Sequence, residues 1–232
     1  MTAARGKSNR TLLRRGMEGA IRRAFLKAYD TVKVNPEQYL RHLQSAYGVP
    51  ATTYEGMYSV NVAQLDDIAE DVIRSSMKMA AAEGAGLGFG GMLTIVPDLG
   101  ILAAITIRMI QKLSLTYGFA YNTGQEEAEL WVAAASAAGV DISRELVEKQ
   151  VVSKFVPKVI QRIAAKASTE FVEKWAGRLI PIVSSVSGAG LNYYFMRVWG
   201  QRAVQHFRQR HLAVRAQRKA ESPILLPPAE RH

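Results

Sequence analysis

Apolar residues recur at helical spacing through most of the chain. From 11 to 33, Leu13, Met17, Ala20, Ile21, Ala24, Phe25 and Ala28 fall on one stripe, and Arg14, Arg15, Arg22 and Arg23 crowd its flanks. This is the pattern of a basic amphipathic helix, suited to a membrane surface or to packing on its own domain. Pro36 opens a short helix over 36–47, closed by Gly48-Val49-Pro50, and 50–60 reads as an irregular connection. Asn61, with Gln64 three positions on, matches a capping box and introduces a helix over 62–83. Its face is Leu65, Ile68, Val72, Ser76 and Met79. Asp66, Asp67, Glu70 and Asp71 lie in its first half, where acids complement the positive end of the helix dipole.

Two uncharged stretches interrupt this regular pattern. Residues 84–97 carry five glycines and no charge, and Asp98 then leads an apolar helix over 98–117 with Gly118 as its stop. A helix over 124–138 contains Trp131, and 143–178 reads as one or two amphipathic helices interrupted near Pro157. Arg178 and Arg197 enclose 18 uncharged residues, and a basic helix over 190–219 follows. No segment alternates with period two over a useful length, so the fold class is all-α. The expected architecture is a single helical domain over 11–219, with two apolar, small-residue-rich helical hairpins and basic terminal helices. A flexible basic start (1–10) and a disordered Pro-rich tail (220–232) flank it. No apolar segment backs the basic start, so no secretory signal is expected.

Neither uncharged stretch reads as a membrane span. The segment 179–196 holds Pro181, Ser184, Ser185, Ser187 and Asn192, and 84–107 holds Asp98, which costs roughly 2.5–3.5 kcal/mol at mid-bilayer. Small residues instead let helix backbones approach closely, so a buried hairpin core able to open towards lipid is expected.

Charge sharpens this picture through its placement. The chain has 232 residues, 30 Lys and Arg against 20 Asp and Glu, and a net charge of +10. Residues 1–33 hold nine basic and two acidic side chains, and 197–220 hold seven basic and no acidic ones. The body, 34–196, has 13 basic and 16 acidic residues, so a slightly acidic core carries two basic ends. Such ends suit anionic headgroups if they lie side by side, with Arg14, Arg15, Arg22, Arg23, Arg197, Arg202 and Arg208 as the candidate contacts. Tyr193, Tyr194, Phe195 and Trp199 beside Arg197 and Arg202 suit a bilayer interface. Nucleic acid is disfavoured, because no helix-turn-helix, ribonucleoprotein motif or zinc finger is present.

Candidate chemistry is sparse. With no cysteine there is no disulfide, thiolate metal site or thiol nucleophile. Gly86 to Gly91 matches G-x-G-x-x-G, but an alanine-rich helix precedes it and no βαβ unit surrounds it. His42, His206, His211 and His232 lack metal-ligand spacing, and no serine sits in G-x-S-x-G. No metal, cofactor or catalytic residue is therefore assigned. Glu83 and Asp98 border the most apolar region, where an ionised carboxylate must find a partner or shift its pKa upward. Arg108, ten residues after Asp98, cannot reach it along one helix. Backbone N–H groups at the helix start are the expected partner.

The segment 80–119 resembles the signature region of the EcsC family. It has an Ala-rich helix ending in Glu83-Gly84, a Gly-rich turn, an Asp-led apolar helix from Asp98 carrying Arg108, and a closing Tyr117-Gly118. The segment 178–212 is similar to the family's second stretch, in the Ile-Pro pair at Pro181, a small-residue turn, Asn192 and an Arg-rich helix. It departs from the family at Val183 to Ser187, where the usual turn is Gly-rich, and at Pro97. The resemblance covers roughly 11–212. It implies an all-helical bacterial protein and supplies no active site; the family is named for a bacterial gene beside an ABC transporter.

These features give an expectation of a non-enzymatic helical protein, cytoplasmic and peripheral to the inner membrane. It would bind an anionic membrane surface or lipid through an apolar core and basic helices. The alternatives are a soluble partner of an ABC-type membrane transporter, and an enzyme using Glu83 or Asp98.

Overall fold

The computed structural model describes residues 2–86, 95–142, 152–176 and 185–221. Every regular element among them is helical: α1 (Thr2–Thr31), α2 (Pro36–Tyr47), a 3-10 helix (Glu55–Ser59), α3 (Val62–Gly86), α4 (Ile95–Thr116), α5 (Gly124–Ala137), α6 (Val152–Ala176) and α7 (Ser185–Glu221). The all-α expectation holds. Residues 87–94, where a glycine-rich turn is expected, 143–151, 177–184 with Pro181, and those from 222 onward lie outside the described residues.

Helix α4 is the hub and packs against α1, α2, α3, α5 and α7. Its Leu99–Thr116 stretch has a mean hydropathy of 1.3 and is long and apolar enough to cross a membrane by composition, yet 67% of it is buried in the fold. The polar residues buried on it are hydrogen-bonded within the protein, as a water-excluded core requires. Thr106 Oγ1 donates to the Leu102 carbonyl at 2.7 Å, and Ser114 Oγ to that of Phe119 at 2.7 Å. Gln111 clamps the end of α1: its Nε2 donates to the Val32 carbonyl and its Oε1 accepts from the Val34 N–H, both at 3.0 Å. Ile21 and Phe25 meet Leu99, Leu102 and Thr106 further back, so α1 and α4 run in the same direction.

The most extensive helix pairing is α3 on α7. It is antiparallel, with Asp66 facing Arg208 and Ile73 facing Gly200. A Cβ on Gly200 would sit 2.7 Å from Ile73 Cγ1, so the absence of a side chain sets how closely these helices approach. The basic helices α1 and α7 both flank α4. Their rings Phe25 and Trp199 lie 6.2 Å apart, but the two helices do not pack along their lengths among the described residues.

Several expected boundaries and caps are corrected. Helix α1 begins at Thr2 rather than near 11, and α3 continues to Gly86, so Glu83-Gly84 belongs to its last turn. Helix α4 starts at Ile95, which puts Pro97 and Asp98 in its first turn; proline is tolerated there because first-turn N–H groups lack intrahelical acceptors anyway. Helix α6 runs through Pro157 without a break, since in its second turn the ring removes a single ladder bond. Asn192 lies inside α7, which starts at Ser185. Asn61 Oδ1 caps α3 by accepting from the Ala63 N–H at 2.9 Å, but Gln64 donates to the Tyr47 carbonyl instead of closing a capping box. The closed box is on α5, where the Thr123 side chain and Glu126 exchange hydrogen bonds with each other's backbone.

Candidate functional site

The two ends of the bundle differ in chemistry. At one end, the Tyr117-Gly118 pair that closes α4 is the centre of a polar lock. Tyr117 is fully buried, and its hydroxyl donates to Asp66 Oδ1 at 2.7 Å. Arg208 Nε donates to both oxygens of the same carboxylate, at 3.1 and 2.9 Å. One acid on α3 thus ties α4 to α7. Burial raises the Tyr117 pKa, and the hydrogen bond to Asp66 raises it further.

His211 completes the lock from α7. Its Nδ1 lies 2.9 Å from the Tyr117 carbonyl oxygen. A carbonyl only accepts, so this nitrogen carries the proton. Nε2 is then a bare acceptor, buried without a partner among the described residues. The Tyr58 ring stacks on the imidazole at 5.0 Å and the Tyr117 ring meets it edge-on at 6.0 Å. Burial holds the His211 pKa below its ordinary value; the bond to the Tyr117 carbonyl and the charge of Asp66 oppose this, and Arg215 adds to it. Gly118 takes φ +86°, and a Cβ there would lie 3.1 Å from Met57 Cβ and 3.2 Å from the Tyr54 carbonyl. Only glycine fits this stop without strain.

Much of the positive charge on α7 is spent inside this end. Arg210 pairs with Glu129 at 3.0 Å and lies 4.7 Å from the Phe119 ring centre. Arg215 donates to the Val60 carbonyl at 3.2 Å, and Arg218 to that of Glu55 at 3.3 Å while covering the Tyr58 ring. Arg202 reaches the Ala137 carbonyl at 3.4 Å. Arg202 and Arg208 therefore hold helices together. Of the α7 candidates, Arg197 is exposed.

The other end gathers the start of α4, the start of α7, the last turns of α3 and the first half of α1. There Tyr193 and Tyr194 are 45% and 46% exposed, Leu12 is 63% exposed, and Met79 and Ile101 also reach solvent. Arg14, Arg15, Arg22 and Arg23 are exposed along α1. Between these helices lies a cleft of about 40 Å³ walled by Ile21, Phe25, Leu99, Leu102, Phe195 and Trp199. The Trp199 indole N–H is buried without an acceptor among the described residues. Arg108 is exposed on α4, one turn before Lys112, whose pKa is lowered by burial and then by Arg108. Glu83, Asp98 and Asn192 have their backbones on α3, α4 and α7, but their side chains lie outside the described part, so no contact is assigned to them. No group of three His, Asp or Glu gathers at metal-binding distance among the described residues.

The sequence pattern of the EcsC protein family matches residues 16–212. The chain belongs to the EcsC family. Protein EcsC of Bacillus subtilis (strain 168) is 26% identical over 157 residues, covering 66% of this chain and 66% of that protein. YdbA, an uncharacterized protein of the same strain, is 23% identical over 99 residues, covering 41% of this chain and 36% of its own length. The chain thus spans less than two thirds of these relatives. No solved structure matches. In this EcsC-family chain, the sequence reading found Tyr117 and Gly118 but not Asp66 or His211. The signal was present in the spacing. Asp66 precedes buried Ala69, Ile73 and Met77 at steps of three and four, and His211 continues Trp199, Ala203 and Phe207 at steps of four.

Proposed function

We propose that this EcsC-family protein is a non-enzymatic helical protein that docks on the anionic cytoplasmic face of a bacterial membrane. The observation that carries this reading is the exposed pair Tyr193 and Tyr194 beside exposed Arg197, at the same end as Leu12, Arg14 and Arg15. Amphipathic rings favour the headgroup level, and each nearby Lys or Arg adds about 1 kcal/mol of attraction to an anionic leaflet.

Co-sedimentation with vesicles tests this. The protein should pellet with phosphatidylserine-containing vesicles at low salt and be released at high salt, with little binding to pure phosphatidylcholine. Replacing Arg14, Arg15, Arg22 and Arg23 together by Gln should abolish most of the low-salt binding. A protein that stays in the supernatant with anionic vesicles at low salt overturns the reading.

A further inference from the structure

A separate cavity of about 440 Å³ lies where the end of α1 meets α4 and the start of α5. Its walls include Tyr29, Tyr121, Trp131 and Glu127, with Lys33 also among the lining residues. It is within the roughly 300–1,000 Å³ of small-molecule sites. The rings of Tyr29 and Trp131 stand edge to face, with centres 5.4 Å apart at 76°, and so make a corner.

The Tyr121 hydroxyl donates to the Val34 carbonyl at 2.6 Å, and burial and then the nearby Glu127 carboxylate raise the Tyr29 pKa. Aromatic ring faces carry negative potential and attract cations. Glu127 is half-buried in the wall and Asp30 lies near Tyr29, while Lys33 is exposed. The start of α5 would ordinarily favour an anion, but the Glu126 carboxylate accepts the Asn122 and Thr123 N–H groups, at 2.8 and 2.9 Å, and Thr123 Oγ1 takes that of Glu126. An anion entering the cavity would also meet Glu127.

We propose that this cavity binds an organic ammonium group, held against the rings of Tyr29, Tyr121 and Trp131 and neutralised by Glu127. A quaternary or methylated amine fits best, because its positive surface is wide and weakly hydrated and needs no hydrogen-bond acceptor beyond the carboxylate. The site is independent of the membrane-docking reading, since it uses none of the residues assigned to that surface.

The test is a tryptophan-fluorescence and calorimetric titration of the full chain with choline, and with 3,3-dimethylbutan-1-ol as its uncharged isostere. Choline should bind saturably and the alcohol should not. Glu127→Gln should weaken choline binding by roughly tenfold or more. Tyr29→Phe keeps the ring and should preserve binding, whereas Tyr29→Leu should remove it; this pair decides the matter if Glu127→Gln fails to fold. Absence of saturable choline binding overturns the proposal. So does equal binding of the alcohol, or a folded Glu127→Gln or Tyr29→Leu variant with unchanged affinity.

Discussion

The two ends of this bundle use positively charged side chains in opposite ways. At the Tyr117–Asp66–Arg208 end and the adjoining middle of α7, five arginines of that helix are turned onto a carboxylate, a carbonyl or a ring of the same chain. At the Tyr193–Tyr194 end, arginines of α1 and Arg197 stand in solvent beside exposed rings. A charge count along α7 treats these arginines alike. Their environments do not: the first set is part of the fold, and the second is available to something outside it. The difference teaches that a basic helix can serve as a binding surface only over turns whose arginines its own domain leaves exposed, as it does Arg197 among the described residues.

Substitutions at the locked end should expose this contrast most strongly. Gly118→Val forces a β-branched residue into φ +86° with a Cβ in contact with Met57 and the Tyr54 carbonyl. A loss of about 3 kcal/mol is expected in urea unfolding. Gly200→Ala places a methyl 2.7 Å from Ile73 Cγ1 at the α3–α7 crossing and should cost about 1–3 kcal/mol. If Gly200→Ala is neutral, α3 and α7 are less rigidly apposed than the pairing indicates.

Asp66→Asn keeps an acceptor for the Tyr117 hydroxyl but removes the charge that Arg208 grips. Side-chain exposures of 44% for Arg208 and 33% for Asp66 moderate the effect, so about 1 kcal/mol is expected, measured as a shift of the unfolding midpoint. The pH dependence should be smaller still. His211 and His206 both have folded pKa values below 6.5, with burial as the main cause. The unfolded chain therefore takes up protons first. Their contribution is complete above pH 6.5 and is lost as pH falls from there through the lower folded values. Stability followed between about pH 7.5 and about pH 5.5 should decline, and His211→Gln should flatten part of that decline. A slope unchanged by His211→Gln would place the titration elsewhere.

Most of this fold was legible in the chain, for physical reasons that also explain the misses. Helices α2 and α4 were readable because Pro36 and Gly48 bound the first and Gly118 stops the second. Pro157 misled because a proline's cost depends on how far into a helix it falls, and the start of α6 at Val152 has no marker. Gln64 had the spacing of a capping box, but a carbonyl from Tyr47, distant in sequence, claimed its side chain. The site was harder to read. Tyr117-Gly118 is a local signal, whereas the Asp66–Arg208 pair joins residues 142 positions apart and needs the antiparallel docking of α3 on α7. Charge count alone cannot tell Arg197 from Arg208, three turns apart on one helix.

That last distinction gives the smallest and most discriminating expected effect. Tyr193→Ser with Tyr194→Ser, and separately Arg197→Gln, alter side chains that are exposed on the first turns of α7. Each should leave the unfolding midpoint within about 0.5 kcal/mol of the parent, as surface changes do. Each should nevertheless reduce pelleting with anionic vesicles, the tyrosine pair over the whole salt range in which the parent still pellets and Arg197→Gln mainly at the lowest salt, where screening is weak. Arg208→Gln should do the reverse, lowering the midpoint while a folded sample binds vesicles normally. A matching loss of stability in the tyrosine pair would show that those rings belong to the fold, and the contrast between the two ends would collapse.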